Sequence, residues 1–175
     1  EGAFDMCYAG SWYDAVHLIA QGRADLNPLY VYYSWNEKAY PEDSIRMNYV
    51  SNHDKNSADG TEFELFGESL GTAIVLSVVG EGMPLIYNGQ EAGNPKRLLF
   101  FDKDPIEWKH HPLGDFYKKL FALKKANRAL WNGKWGARMI DVPNSVHTRV
   151  MSIVRQNERE KVFAVLTCSD QPQQV

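Results

Sequence analysis

The chain has 175 residues, with 19 Lys and Arg against 22 Asp and Glu, a formal net charge of −3 with the five His neutral. That length suits one ordinary domain or a modest domain with a tail, and the charge balance lacks the clustered basic excess of a nucleic-acid-binding module. A hydrophobic share of 44%, with 13% aromatic, excludes wholesale disorder.

No apolar run reaches the roughly 18 residues of a membrane span; the longest, Thr72 to Val79, is short and flanked by Gly and Glu. Cys7 and Cys168 are too few for a disulfide scaffold or a structural zinc site. The chain opens on Glu1 without a charged-then-apolar leader, so a processed protein or an excised piece is expected.

In chain order, Ala3 to Ala9 is short, apolar and aromatic, the composition of a buried strand. Trp12 to Ala20 predicts a helix, with Trp12, Ala15, Val16, Ile19 and Ala20 on one side and Gly22 as its stop. Asn27 to Tyr40 is rich in Tyr and Trp without a steady period, and reads mainly as the end of a crossover with room for a helical turn. After Pro41, Glu42 and Asp43, the run Ile45 to Ser51 has strand composition and leads directly into Asn52-His53-Asp54 and a polar loop, Lys55 to Gly60.

Thr61 is a fair N-cap for a second helix, with Glu62 and Glu64 in its first turn, where the helix dipole favours acids. Phe63, Phe66, Leu70, Ala73, Ile74 and Val78 form its apolar stripe, and Gly80 and Gly82 end it. Pro84 to Asn88 predicts another strand. Leu113 to Leu130 predicts a third helix with Phe116, Leu120, Leu123 and Ala126 inward and Lys118, Lys119, Lys124 and Lys125 outward.

Strand and helix thus alternate three times, which implies parallel pairing with crossover helices. From Asn132 onward the pattern changes. Ala137 to Val142, His147 to Arg155 and Lys161 to Thr167 are β-rich runs, the last two joined as a hairpin by a short turn. A boundary is expected here, giving regions 1–132 and 133–175.

Two segments hold residues able to carry chemistry. Asn52-His53-Asp54 stands at the carboxyl end of a predicted strand, where parallel α/β folds display reactive groups. Alone, this tripeptide reads equally as a turn closed by an Asx bond. The second is Gly82-Met83-Pro84-Leu85-Ile86-Tyr87-Asn88-Gly89-Gln90-Glu91-Ala92-Gly93, a strand ending in a glycine-flanked polar loop; Glu91 there reads first as a hydrogen-bonding partner of the turn backbone.

Together, in this order and spacing, the two segments resemble the α-amylase family, glycoside hydrolase family 13, over roughly Ala3 to Leu130. In that family the Asn-His-Asp motif ends barrel strand 7, and the Gly-x-Pro-x-x-Tyr-x-Gly-x-Glu stretch belongs to strand 8. The resemblance implies an α/β fold: a partial (β/α)8 TIM barrel, strands 6–8 with their helices, followed by an antiparallel β-sandwich segment. It implies that Asp54 is the transition-state-stabilising aspartate, that His53 hydrogen-bonds the sugar, and that Asn52 belongs to the same substrate-binding motif. The substrate class implied is an α-glucan or oligosaccharide.

The family's other two carboxylates, a nucleophile in a Gly-x-Arg-x-Asp segment and a separate acid/base Glu, have no counterpart here. Gly22-Arg23-Ala24-Asp25 follows a helix instead of a strand, and Glu1 reads as the end of a preceding loop or helix. A complete barrel takes about 250 residues, so three units fit the first region. The fragment alone is expected to be inactive and to self-associate through open barrel edges. The same scaffold also serves non-catalytic interaction proteins, transglycosylases and isomerases; a retained Asp54 counts against the first of these.

No cofactor is identified. Calcium accompanies many family members, but no ligand for it is assigned in this chain, and His110-His111 lacks a ligand set at a telling spacing. Tyr30, Tyr32, Tyr33, Trp35 and Tyr40 read as packing aromatics before sugar-stacking ones, and Asp102, Lys103, Asp104 and Trp108 read as a solvated loop or an outer subsite.

Overall fold

Short runs of β-branched, aromatic and sulfur-bearing residues between polar turns build a three-stranded parallel sheet, and the computed structural model describes it within residues 4–168 and 171–175. β1 is Met6–Tyr8, β2 is Ile45–Tyr49 and β3 is Met83–Leu85, in that spatial order. Cys7 pairs with Arg46, and Asn48 with Pro84. Proline cannot donate to a ladder, and its place on an edge strand respects that limit.

Helices connect the strands: α1 Gly10–Ala20 and α2 Asn27–Ala39 between β1 and β2; α3 Glu62–Phe66 and α4 Leu70–Val79 between β2 and β3; and α5 Pro112–Ala126 after β3. The Thr61 cap is realised as a reciprocal box. Thr61 Oγ1 accepts from the Glu64 N–H at 3.3 Å, and Glu64 Oε2 accepts from the Thr61 N–H at 2.8 Å. Gly67, at φ +49°, then divides the expected single helix into α3 and α4.

Several expectations are corrected. Asn27–Ala39 is a full helix, started by Pro28 in its first turn and packed through Leu29 and Tyr32. The polar loop after Asp54 winds into one π-type turn, Lys55–Asp59. β1 is exposed along its whole length because, among the described residues, no strand lies beyond it, so it is an edge and not a buried strand; Ala3, its expected start, lies outside the described residues.

α5 ends at Ala126, and its inward stripe is Tyr117, Leu120 and Lys124, so Leu123 and Ala126 turn out to solvent. Lys124 is buried because its ammonium meets three carbonyl oxygens: Val78 at 3.1 Å, Gly82 at 3.2 Å and Leu130 at 2.6 Å. An ammonium has three N–H donors, one for each of these carbonyls. Burial and the nearby Arg155 charge push its pKa down to about 7.

The second sheet is antiparallel: β4 Met139–Asp141, β5 Val150–Gln156 and β6 Lys161–Thr167. The β5–β6 turn is closed by Asn157, whose Oδ1 accepts from the Arg159 and Glu160 N–H groups at 2.9 and 2.8 Å. β6 alternates, with Val162, Ala164 and Leu166 against the core and Phe163 and Val165 outward.

One apolar core runs through both sheets and joins Trp12, Leu29, Tyr49, Ile74, Leu130, Met151 and Ile153. A seam of hydrogen bonds reinforces it. The Arg155 guanidinium donates to the carbonyls of Ala137, Gly80, Leu130 and Trp131, at 2.6 to 3.2 Å.

Candidate active site

β2 delivers the site. Beyond Tyr49 the chain stays buried through Val50, Ser51 and Asn52, then surfaces at His53 and Asp54. Asn52 starts the turn: its Oδ1 accepts from the Lys55 N–H at 2.8 Å and its carbonyl from the Asn56 N–H at 2.9 Å. That turn fixes the backbone on which the two exposed side chains stand. His53 Nε2 lies 3.3 Å from Asp54 Oδ1, with 54% and 64% of the two side chains open to solvent, so a ligand can reach both.

The turn also clasps the loop that follows β3. Buried Asn56 accepts from the Leu98 N–H at 2.7 Å and donates to the Lys96 carbonyl at 3.4 Å. The Ser57 hydroxyl donates to the Leu98 carbonyl at 2.6 Å. Asp104 pairs with Lys96 and accepts from the Leu99 N–H at 3.1 Å; the hydrogen bond from Lys96 holds its carboxyl below the usual range. Phe100 is thereby set against His53, with ring centroids 5.9 Å apart.

The second motif is structural in its centre. Buried Gln90 accepts from the Tyr87 N–H at 2.6 Å and donates to the Tyr117 hydroxyl at 3.1 Å. Glu91 accepts from the Gly89 N–H at 3.1 Å, so its carboxylate serves the turn. Gly89 and Gly93 sit at φ +95° and +63°, a region L side chains avoid.

Other sequence candidates lie elsewhere. Trp35 and Tyr40 pack on each other, and Arg46 lies 4.1 Å from the Tyr40 ring, at the opposite end of β2 from His53. Tyr33 accepts from Trp12 Nε1 at 3.0 Å, and Tyr30 donates to the His147 carbonyl at 2.8 Å. His111 caps α5 by accepting from the Leu113 N–H at 3.2 Å, and His110 pairs with Asp115 at 2.9 Å. Among the described residues no group of three or more His, Cys, Asp or Glu could hold a metal ion, and no helix is long and apolar enough to cross a membrane. Glu1 lies outside the described residues.

The sequence reading missed Asn56 and Ser57, whose task appears only when two distant loops meet, and the burial of Glu62, read there as a first-turn acid. Glu62, in the first turn of α3, is buried with Oε1 unpartnered, and burial pushes its pKa from 4.5 to about 7. A raised carboxyl pKa means that the fold holds the proton more tightly than the open chain. Stability from this group is full below pH 4.5 and falls as the pH rises through about 7. Glu62→Gln is expected to leave urea stability at pH 4 unchanged and to raise it by about 2 kcal/mol at pH 8. An equal pH slope in the variant and the wild type would refute this.

A parallel sheet with a His-Asp pair at the mouth of its middle strand defines a class: α/β proteins whose sites sit at the carboxyl ends of strands. Comparison with known proteins narrows it. In sequence the chain is similar to α-amylase 2 of Dictyoglomus thermophilum, 24% identical over 147 residues, covering 77% of this chain and 24% of that protein. In fold it is similar to a maltogenic α-amylase from Thermotoga neapolitana, with a TM-score of 0.81 and 22% identity over 95% of this chain and 38% of that one. An α-amylase from Lactobacillus plantarum superposes with a TM-score of 0.74 and 21% identity over 94% of this chain and 37% of that one.

No family model matches the chain. The likeness read from the two motifs is nevertheless met in both sequence and fold: the chain resembles the C-terminal region of α-amylases. It spans 24% of the curated relative and 38% of the Thermotoga structure.

Proposed function

We propose that this chain is the C-terminal part of a retaining glycoside hydrolase acting on α-glucosidic bonds of starch-like glucans or malto-oligosaccharides. In this reading residues 1–132 supply strands 6–8 of a (β/α)8 barrel with their helices, and residues 133–175 begin a C-terminal β domain. The observation that carries it is the exposed His53-Asp54 pair, seated where the middle strand of a parallel sheet opens to solvent.

Cleavage of an α-glucosidic bond passes through a flattened ring with oxocarbenium character, and contacts to the sugar hydroxyls tighten there. The Asp54 carboxylate, fixed against those hydroxyls, favours the distorted cationic ring over the ground state. His53 donates to a neighbouring hydroxyl and orients the sugar. Asn52 holds the turn that keeps the two side by side.

A retaining mechanism also needs a nucleophile and an acid/base carboxylate about 5–5.5 Å apart. We assign neither to this chain; both belong to other strands of the barrel, so the segment alone is inactive. β1 and β3 are the free edges of its sheet, and in the isolated chain they are the surfaces for pairing with a second copy.

The test is the anomer released by the full-length protein that contains this segment. Malto-oligosaccharide is cleaved while proton NMR follows the new reducing end, and the α-anomer is expected first. A β-anomer first would overturn the retaining mechanism, and no cleavage of α-glucans would overturn the whole reading.

A further inference from the structure

Between the two motifs runs a buried line of side-chain amides. Asn52, Asn56, Gln90 and Asn94 are 6%, 2%, 2% and 6% exposed. None of them carries a charge, so hydrogen bonds alone hold each in place. Burying an amide costs free energy unless its donors and acceptors are met, and a line in which they are met fixes geometry as well as filling space.

The line is continuous from one motif to the other. The Asn56 N–H donates to the Asn52 carbonyl at 2.9 Å, in the turn that carries His53 and Asp54. The Asn56 side chain then crosses to the loop after β3, where Oδ1 accepts from the Leu98 N–H at 2.7 Å and Nδ2 donates to the Lys96 carbonyl at 3.4 Å. Asn94 Nδ2 donates to that same carbonyl at 3.0 Å, so one oxygen with two lone pairs joins two side chains. The Asn94 N–H donates in turn to the Gly89 carbonyl at 3.0 Å. Gln90, the next residue, donates to the Tyr117 hydroxyl on α5 at 3.1 Å. The Asp54 turn is thereby tied to a helix of the surrounding layer.

Asp54 depends on such a support. Its side chain is 64% open to solvent and its ion-pair contact, His53, is itself exposed, so packing does not hold it. A carboxylate that stabilises a transition state must stay within a fraction of an ångström of its place, because a displacement of about 1 Å costs on the order of a hundredfold in rate. The backbone of the turn is what carries that precision, and the amide line is what braces the backbone from the far side.

We propose that Asn56 and Asn94 are positioning residues for Asp54: they lock the turn that bears it onto the loop of the second motif and keep the carboxylate aimed at the transition state. This rests on the glucan-hydrolase reading of Asp54 and adds the residues that hold it.

The experiment is a double-mutant cycle in the full-length protein. It measures kcat and KM on maltoheptaose for wild type, Asn56→Ala, Asn94→Ala, Asp54→Asn and each alanine variant combined with Asp54→Asn. Alone, Asn56→Ala is expected to lower kcat about tenfold and to change KM by less than about twofold. Asn94→Ala should act in the same direction by a smaller factor, since Asn56 keeps its bond to Leu98. On the Asp54→Asn background either change should lower kcat by less than about twofold, because the charge being positioned is already gone. Equal factors on both backgrounds would overturn the proposal, since a purely packing role acts regardless of Asp54. An unchanged kcat in either alanine variant would overturn it too.

Asn56→Asp keeps the question open to measurement if alanine weakens the fold. When protonated, the new carboxyl reproduces the amide pattern, accepting from Leu98 and donating to Lys96; when ionised, it turns an acceptor toward the Lys96 carbonyl. Its kcat relative to wild type should therefore be highest on the acid limb of the pH profile and fall on the alkaline limb, and a flat ratio would count against the brace. Wild-type turnover in Asp54→Asn would remove both the positioned group and this inference while leaving glucan cleavage standing. Absence of any α-glucan turnover by wild type would overturn both readings together.

Discussion

Under the proposed hydrolase role, Asp54→Asn in the full-length protein is expected to lower kcat on malto-oligosaccharides by at least about a hundredfold, the usual scale for removing one preorganised electrostatic partner of a transition state. The substitution keeps the side chain's shape and removes its charge, so binding of the relaxed ring is affected less than turnover. KM should accordingly change by much less than kcat. The variant should also fold as the wild type does. Asp54 is exposed, and its ion-pair contact is His53 at 3.3 Å, a surface pair that adds little to stability. An unchanged thermal midpoint with lost turnover is therefore the signature expected. Wild-type turnover in the Asn variant would remove Asp54 from the chemistry.

Arg155→Met has the largest expected effect on folding. The guanidinium donates from all three nitrogens to four carbonyls, those of Gly80, Leu130, Trp131 and Ala137. A methionine fills similar space but takes this donor from the Gly80, Trp131 and Ala137 carbonyls in a buried region, while Leu130 keeps Lys124. Such a loss costs about 3–5 kcal/mol, read as a lower urea midpoint and a thermal midpoint lower by about 10 °C. Arg155→Lys should recover only part of this, because one ammonium cannot reach acceptors spread around a planar fork. A lysine variant as stable as wild type would show that charge alone, and not the fork, holds the seam.

Much of the fold was legible because the residues obey strong local rules. The strand at Ile45, the Thr61 cap with its Glu64 partner, and the hairpin closed at Asn157 were each written in short-range chemistry. The His53-Asp54 pair was legible as a strand-end motif, and its exposure agrees with that placement.

What the sequence hid depends on the neighbours. α2 carries β-branched and aromatic residues that weaken helix propensity, and packing supplies the difference; Pro28 in the first turn was the one signal available. Lys124 looked like solvent-side charge, and only the meeting of α4 with the Leu130 turn reveals three carbonyls waiting for it. Phe100 and Phe101 drew no reading from the sequence, and their exposure appears only once Asn56 has pinned the loop from the other side.

The shared interior has an architectural consequence. Met151 and Ile153 lie in the same cluster as Trp12 and Ile74, and Thr72 on α4 donates to the Thr167 carbonyl on β6 at 3.2 Å. Severing the polypeptide at the Trp131–Gly133 break would strip one wall from the helical layer instead of freeing an appendage. A chimaera carrying a foreign tail must bring its own apolar wedge and its own fork-shaped cation, or the graft will leave α4 wet.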